Sequence, residues 1–232
     1  HRDLHSFPTR RSSDLLAGGK GVRMQSELPK VLHPLQGKPL IAHVLDSLGR
    51  AGVNDIIVVV GYRGEDVMSA VTGRARTVWQ RQQLGTGHAV MQAEEELAGF
   101  KGKVLIACGD VPLLKPETFR AMIEASREEG VKAVLLTMDC RNPAGYGRIV
   151  KDDKGEFLRI VEEKDASLQE KLIKEVNTGT YVFERDYLFE GLSRLDRNNA
   201  QGEYYLTDAL RYVLASGYRV RTIMLEDSTE GT

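Results

Sequence analysis

The sequence has few cysteines, few aromatic residues and no excess of either charge. Its 232 residues include two cysteines, one tryptophan and 32 basic against 33 acidic side chains, for a net charge of -1. Two thiols without C-x-x-C spacing exclude a disulfide framework and a cysteine metal site, so we expect Cys108 and Cys140 to be buried. Balanced charge provides no electrostatic surface for nucleic acid, and we predict no nucleic-acid partner.

Long apolar segments are also missing. Apolar runs such as Ile56 to Val60 are far shorter than the roughly 20 residues that a membrane helix needs. No positively charged segment followed by an apolar one opens the chain, as it would in a secretory signal. We therefore predict no membrane partner and a cytoplasmic location.

Short apolar runs alternate with amphipathic segments along most of the chain. Continuous apolar runs are typical of parallel strands that are buried on both faces, and they predict strands at Asp55 to Val60, Thr77 to Gln80, Val104 to Cys108, Ala133 to Met138 and Thr180 to Phe183. The amphipathic segments predict helices at Pro39 to Leu48, His88 to Leu97, Pro116 to Glu128 and Tyr204 to Leu214. This order predicts one α/β domain, with a Rossmann-like mixed, mainly parallel sheet flanked by helices.

The first fourteen residues, HRDLHSFPTRRSSD, have neither strand nor helix periodicity. A central strand that contained Pro8, Arg10 and Arg11 would lose a ladder hydrogen bond and bury charge. We expect residues 1–14 to be a non-native or disordered leader, with only Leu15, Leu16 and Ala17 left of a first strand. The domain is predicted to run over residues 15–232.

A glycine-rich loop follows, in the stretch LLAGGKGVRM that begins at Leu15. Its backbone N–H groups can approach a phosphate without a Cβ in the way. Lys20, Arg23 and Lys30 supply positive charge that could neutralise a polyphosphate. The loop is neither a Walker A loop nor a dinucleotide fingerprint, and on these residues alone a solvated tight turn is equally open.

Further motifs give this loop a family context. The segments LAGGKGVRM and LPKVL are followed in order by QLGTGHA, GDVPL, GYGRI, NTG and NAQGEYYLTD. Together they resemble the sugar-1-phosphate nucleotidylyltransferases. From about Leu16 onward the chain is similar to the N-terminal uridylyltransferase domain of the bifunctional bacterial N-acetylglucosamine-1-phosphate uridyltransferase/glucosamine-1-phosphate acetyltransferase family.

The resemblance implies a reaction and a cofactor. UTP and N-acetylglucosamine 1-phosphate are the implied substrates, UDP-N-acetylglucosamine and pyrophosphate the products, and Mg²⁺ the cofactor. The match with the family implies that the catalytic cations are Arg23, Lys30 and Lys20, and that Asp110 is a Mg²⁺ ligand. The sugar phosphate is already an anion at neutral pH, so positioning and charge neutralisation are needed rather than a general base.

The same match implies the substrate-binding residues. The positions that read uracil are Gln80, Gly85 and Thr86. The positions that bind the sugar are Gly147, Glu162 and Asn177. Further substrate contacts are implied for Leu16, Ala17, Gly18, Gly19, Lys30, Cys108, Gly109 and Asp110. Taken singly, each of these would be an ordinary loop or strand-end residue; their joint occurrence in family order favours the functional interpretation. His33 and His88 have no partner at metal-ligand spacing and are predicted to be structural.

The chain departs from the family at its end, Glu230-Gly231-Thr232. Relatives continue E-G-x-N, and that asparagine is the second protein ligand of the metal. The resemblance therefore implies a truncated domain with weakened Mg²⁺ affinity, without the β-helix acetyltransferase half that makes the full-length parent bifunctional and homotrimeric. Two alternatives stay open: a nucleotidylyltransferase for another sugar 1-phosphate or base, and an inactive nucleotide-binding module on the same fold.

Overall fold

Strands and helices alternate along the protein. The computed structural model describes residues 12–17, by their backbone, and residues 26–231. The strands are β1 (Ser12–Ala17), β2 (Pro34–Leu35), β3 (Lys38–Pro39), β4 (Asp55–Val60), β5 (Arg76–Trp79), β6 (Lys103–Cys108), β7 (Val131–Asp139), β8 (Arg148–Lys151), β9 (Phe157–Val161), β10 (Glu175–Glu184) and β11 (Arg219–Met224). The helices are α1 (Leu40–Arg50), α2 (Gly64–Val71), α3 (Thr86–Met91), α4 (Pro116–Ala125), α5 (Arg185–Leu192) and α6 (Ala209–Ala215).

One mixed sheet organises these elements. Its strand order is β11, β7, β10, β6, β1, β4 and β5, and β8 joins it by pairing with β10 and with β9. β1 runs parallel to both neighbours, β4 and β6, whereas β10 runs antiparallel to both β6 and β7. The parallel pairs β4 with β5 and β7 with β11 complete the main sheet. The predicted α/β fold with a mixed, mainly parallel sheet is confirmed.

Helices cover both faces of the sheet, which explains the continuous apolar runs. In β4, Val58 and Val60 belong to a hydrophobic cluster that includes residues of α1, α2 and α4. Ile57, the neighbour of Val58 in sequence, belongs to the opposite cluster, which includes residues of α5 and α6. Successive side chains of a strand point to opposite faces, so a strand that is covered on both sides needs apolar residues throughout.

β1 begins at Ser12, whereas the sequence predicts a strand only from Leu15. Ser12 is paired with Asp55 of β4 and with Val104 of β6. Residues 12–14 of the expected leader are therefore part of the central strand rather than disordered, and the domain bounds stay a prediction. Ladder hydrogen bonds use backbone N–H and C=O groups, which every residue except proline supplies in full. The rest of the expected leader, residues 1–11, lies outside the described residues.

The other element predictions hold with changed bounds. All five predicted strands exist, and the one predicted at Thr180 to Phe183 is part of the longer β10. The helix predicted at His88 to Leu97 ends at Met91 and continues as turns, and the one at Tyr204 to Leu214 is split into a short 3-10 helix, Leu206–Asp208, and α6. The two cysteines are partly rather than fully buried. In the described ranges, no helix has the length and apolar character that crossing a membrane would need.

Candidate functional site

The predicted site residues gather at the edge where the parallel strands end. Leu16 and Ala17 close β1, Gln80 directly follows β5, and Asp110 follows β6. Asn177 joins them from β10, beside the end of β7. Open α/β sheets bind ligands at this edge. Four predicted residues lie outside the described part of the chain: Gly18, Gly19, Lys20 and Arg23.

An ion pair connects Lys30 and Asp110 at this edge. Lys30 Nζ lies 2.6 Å from Asp110 Oδ2, and the two side chains are 44% and 26% exposed. Lys30 begins a short 3-10 helix in which the next residue, Val31, is buried, so the backbone below the lysine is anchored in the core. The pair joins a predicted phosphate-binding cation to the predicted metal ligand, and both side chains remain accessible to a ligand.

A cavity of about 230 Å³ opens where β6, β8, β9 and β10 approach one another. Five predicted residues line it: Thr86, Cys108, Gly147, Glu162 and Asn177. Among residues 26–231, the predicted residues outside this lining are Lys30, Gln80, Gly85, Gly109 and Asp110. The structure therefore brings the predicted sugar-binding residues together in one cavity with Thr86, whereas the other predicted base contacts and the predicted phosphate contacts lie outside its lining.

Asn177 is held in one orientation in the cavity wall. Its Nδ2 donates to the hydroxyl of Tyr181 at 2.7 Å, and its Oδ1 accepts from the backbone N–H of Gly179 at 2.9 Å. Burial raises the pKa of Tyr181, so the hydroxyl stays neutral. The register of β10 against β7 shifts between Asn177 and Tyr181, and such an irregularity re-aims side chains next to binding sites.

Gly147 lets the backbone approach Glu162. A Cβ at this position would lie 2.8 Å from Ile160 Cγ2 and 3.3 Å from Glu162 Oε2, so a larger residue would push the carboxylate away. The loop before it is held by Arg148, which is 1% exposed. Arg148 donates to the Tyr146 carbonyl and to Glu163. The buried Arg148 side chain therefore connects Tyr146, which lines the cavity, to Glu163, the residue after Glu162.

The carboxyl group of Glu162 is partly desolvated. Burial is the main cause that raises its pKa, and the nearby acidic side chains of Asp208, Asp165 and Glu203 add to the effect. Thr207 Oγ1 lies 3.3 Å from Glu162 Oε1 and can donate to it. Glu162 is thus an acceptor whose charged form is stabilised by few partners, and a ligand with hydroxyl or amide donors would supply more.

Cys108 contributes bulk rather than reactivity to the cavity. Burial raises the pKa of its thiol to about 12, and the negative charge of Asp110 adds to this shift. A thiol with this pKa carries almost no thiolate at neutral pH and is a poor nucleophile. Cys108 Sγ lies 3.8 Å from the carbonyl oxygen of Gly179, so it packs β6 against the irregular part of β10.

The turn after Gln80 forms a second group of predicted residues. Gln80 is 5% exposed, and its Nε2 donates to the carbonyl oxygen of Gly85 at 3.0 Å. Gly85 has a φ of 109° and a ψ of 175°, a backbone region that is open almost only to glycine. Thr86 Oγ1 accepts from the backbone N–H of Leu206 at 3.1 Å. The NAQGEYYLTD segment therefore packs directly on this turn.

Tyr204 is the centre of that packing. Its backbone N–H donates to the carbonyl of Leu84 at 2.8 Å, and its carbonyl accepts from the N–H of Gly87 at 2.8 Å. A Cβ on Gly85 would come within 2.6 Å of the Tyr204 carbonyl oxygen. Two motifs that lie far apart in the sequence thus form one backbone-to-backbone junction at the site.

Sequence reasoning missed several residues of the cavity wall, among them Tyr146, Tyr181 and Thr207. Tyr146 and Thr207 lie inside recognised motifs, GYGRI and NAQGEYYLTD, which is a signal that could have found them. Tyr181 carries no such signal, because a tyrosine in an apolar strand run is typical of a core residue. Its role depends on the irregular pairing of β10, which no periodicity indicates.

Comparison with known proteins identifies the family of this chain. The MobA-like NTP transferase domain family matches residues 15–178, which is more than half of the 232 residues. The chain belongs to this family. The matched range contains Lys30, Gln80, Asp110 and most of the cavity lining, whereas Gly179, Tyr181, Leu206 and Thr207 of that lining lie beyond it.

Curated relatives of this NTP transferase domain carry the name "Bifunctional protein GlmU". The protein from Oceanobacillus iheyensis is 44% identical over 95% of this chain and 48% of its own length. The protein from Pelotomaculum thermopropionicum is 46% identical over 94% of this chain and 48% of its own length. The protein from Enterococcus faecalis is 44% identical over 95% of this chain and 48% of its own length. The chain spans about half the length of the curated relatives it matches.

Proposed function

We propose that this chain transfers a uridylyl group from UTP to N-acetylglucosamine 1-phosphate, with release of pyrophosphate. The observation that carries the proposal is the cavity lined by Gly147, Glu162 and Asn177, at the sheet edge that also holds the Lys30–Asp110 pair. Membership of an NTP transferase family supports the reaction class. Similarity to the GlmU relatives supports the choice of substrates.

The chemistry requires little more than positioning and charge. A phosphate oxygen of the sugar 1-phosphate attacks the α-phosphorus of UTP, the new P–O bond forms, and the bond to the pyrophosphate oxygen breaks. The nucleophile is an anion at neutral pH, so no proton has to be removed. Lys30 would neutralise phosphate charge, together with Arg23 and Lys20 from the loop that lies outside the described residues.

Asp110 is the residue that would hold Mg²⁺. Mg²⁺ prefers oxygen ligands and is often held by one or two carboxylates, with substrate phosphates and water completing its shell. The partly exposed Asp110 carboxylate at the phosphate side fits this requirement. Among the described residues, no group of three or more His, Cys, Asp or Glu side chains is arranged around a common point for a metal. When bound, the ion would neutralise charge on the triphosphate and the leaving pyrophosphate.

The sugar would be recognised by the cavity. The hydroxyl and acetamido N–H groups of the sugar are hydrogen-bond donors, and the Glu162 carboxylate is an acceptor with few protein partners. Asn177 stands fixed beside it by its bonds to Tyr181 and Gly179. A preorganised amide and carboxylate bind a polyol with little loss of side-chain entropy.

The cytoplasmic location, the homotrimeric parent and the second, acetyltransferase half stay predictions.

Glu162→Gln is expected to weaken binding of the sugar phosphate without lowering the stability of the folded protein. Removing the charge should raise the KM for N-acetylglucosamine 1-phosphate by about tenfold, since hydrogen bonds to a charged acceptor are the stronger ones. The KM for UTP should change little. The measurement is initial-rate kinetics with each substrate varied in turn; equal increases in both KM values would place Glu162 outside the sugar site.

The same variant should be more stable than the parent protein at about pH 8. The folded-state pKa of Glu162 is raised above its ordinary value of 4.5, so ionisation costs folding free energy above that raised pKa. The cost disappears as the pH falls through the raised pKa toward 4.5, and so should the difference in unfolding midpoint. The exposed Glu95→Gln, which makes the same chemical change at the surface, is the matched control.

The proposed reaction is tested by pyrophosphate release. The purified chain is mixed with UTP, Mg²⁺ and, in separate reactions, N-acetylglucosamine 1-phosphate or glucose 1-phosphate. Release that depends on the acetamido sugar is the expected result. Release with glucose 1-phosphate instead would identify a nucleotidylyltransferase for another sugar. No release from a cooperatively folded chain that still binds UTP would identify an inactive nucleotide-binding module.

A further inference from the structure

His88 contacts Gln80, the residue that is predicted to bind the uracil base. Its Nδ1 is 3.2 Å from Nε2 of Gln80, and Gln80 Nε2 also donates to the carbonyl of Gly85. The carbonyl can only accept, so the nitrogen end of the Gln80 amide must point toward α3. The second N–H of that nitrogen then points at His88, and Nδ1 must accept it.

We infer that His88 is a positioning residue that, together with the Gly85 carbonyl, holds the Gln80 amide in the orientation that favours uracil over cytosine in the nucleotide. The inference rests on the proposed function, because it assumes that Gln80 faces the base. It extends that function to a residue that the sequence alone predicts to be structural. His88 would not touch the substrate; it would act through Gln80.

The imidazole ring is held so that this acceptor is available. Tyr204 stacks on it, with ring centroids 6.3 Å apart and an interplanar angle of 24°. Gln92 lies on the other side, where its Nε2 donates to the His88 carbonyl at 2.9 Å. Gln92 Nε2 also lies 3.4 Å from His88 Nε2, a longer contact than the 3.2 Å between Gln80 Nε2 and Nδ1, which favours Nδ1 as the acceptor. Burial lowers the pKa of His88, which keeps the ring neutral and leaves one ring nitrogen with a free lone pair.

The orientation of the Gln80 amide determines whether the base faces an acceptor oxygen or donor N–H groups. With both N–H groups of Gln80 used by Gly85 and His88, its carbonyl oxygen Oε1 is the atom left to face a ligand. Uracil carries an N–H at N3, which can donate to that oxygen. Cytosine carries a lone pair at N3, which would be opposed by it. A reversed amide would present N–H groups and favour cytosine.

The test compares UTP with CTP in variants of His88. His88→Phe keeps a stacking ring and removes the acceptor, whereas His88→Asn keeps an acceptor oxygen near the Nδ1 position. His43→Phe is the matched control, because this partly buried helix histidine bonds the carbonyl of Leu35 and does not contact Gln80. Dissociation constants for UTP and CTP are measured by calorimetry, and KM for the sugar phosphate by pyrophosphate release.

His88→Phe should lower the UTP-to-CTP preference by about tenfold, because the Gln80 amide would lose one of the two hydrogen bonds that hold its orientation, worth about 1.4 kcal/mol. The KM for the sugar phosphate should stay within about twofold, and His88→Asn should recover most of the preference. An unchanged preference in His88→Phe, or a wild-type chain that binds both nucleotides equally, would overturn the inference. A chain that prefers UTP in calorimetry yet releases no pyrophosphate would instead contradict the proposed function alone.

Discussion

Replacing Asp110 with alanine is expected to lower kcat/KM for UTP by about a thousandfold, the loss typical of removing one group that stabilises transition-state charge. The variant loses the carboxylate that would hold Mg²⁺ and that pairs with Lys30 Nζ at 2.6 Å. Lys30 would keep its charge but lose the partner that fixes it. The measurement is pyrophosphate release at saturating sugar phosphate over a range of UTP and Mg²⁺ concentrations.

Folding should be almost unaffected by this change. Exposed ion pairs contribute about 0–1 kcal/mol to stability, and both side chains of the Lys30–Asp110 pair are partly exposed. Glu124→Ala is the control, since Glu124 pairs with Arg127 at the same 2.6 Å distance, with side chains 71% and 46% exposed, and α4, where Glu124 lies, contains no predicted site residue. If both variants turn over at the wild-type rate, Asp110 does not belong to the phosphate or metal site.

Gly85→Ala is expected to destabilise the protein more than any other addition of a single methyl group at the site. A Cβ there would meet the carbonyl oxygen of Tyr204 at 2.6 Å and its nitrogen at 2.9 Å. The new residue would also have to adopt a φ of 109° and a ψ of 175°, which costs about 3 kcal/mol for a non-glycine residue. For a chain of this length, this corresponds to an unfolding midpoint lowered by about 10 °C.

The contact cannot relax by moving a side chain. Tyr204 is held by backbone hydrogen bonds to Leu84 and Gly87, so the turn and the NAQGEYYLTD segment would have to separate. Gly99→Ala is the matched control: Gly99 has a φ of 76° and open space within 4 Å of the position that a Cβ would take, and the change should cost only about 1 kcal/mol. Equal unfolding midpoints for the two variants, measured by thermal denaturation, would exclude a tight junction at Gly85.

Hydrophobic periodicity predicts the central part of the fold well. After a charged first residue, β4 and β6 are apolar because helices cover both faces, and the sequence predicts these strands to within one residue. The predicted start of β1 is wrong, because Ser12 enters the sheet through its backbone and carries no apolar signal. α2, α5 and β11 are missed, since short amphipathic elements contain too few residues to establish a period.

The candidate site is predicted through motifs rather than through geometry. Glu162 is expected from family order, but only the structure brings it against Gly147 and Thr207 in one cavity. The role of the NAQGEYYLTD motif could not be predicted either, because its contact with the Gly85 turn joins segments that are over a hundred residues apart. Local sequence carries no information about such a junction until the topology is known.

The central position of β1 has a consequence for how the protein reaches its native state. β1 pairs with β4 and with β6, so Ser12 is paired with Asp55 and with Val104, and the sheet closes through contacts between distant parts of the chain. Proteins dominated by such contacts fold slowly, because loop-closure entropy is lost before the contacts form. Until β1 inserts, β4 and β6 each present an unpaired edge, and the carboxyl edge that carries Asp110 is incomplete. Because synthesis begins at the N-terminus, β1 is made first, and it can be paired on both sides only after β6 has been made.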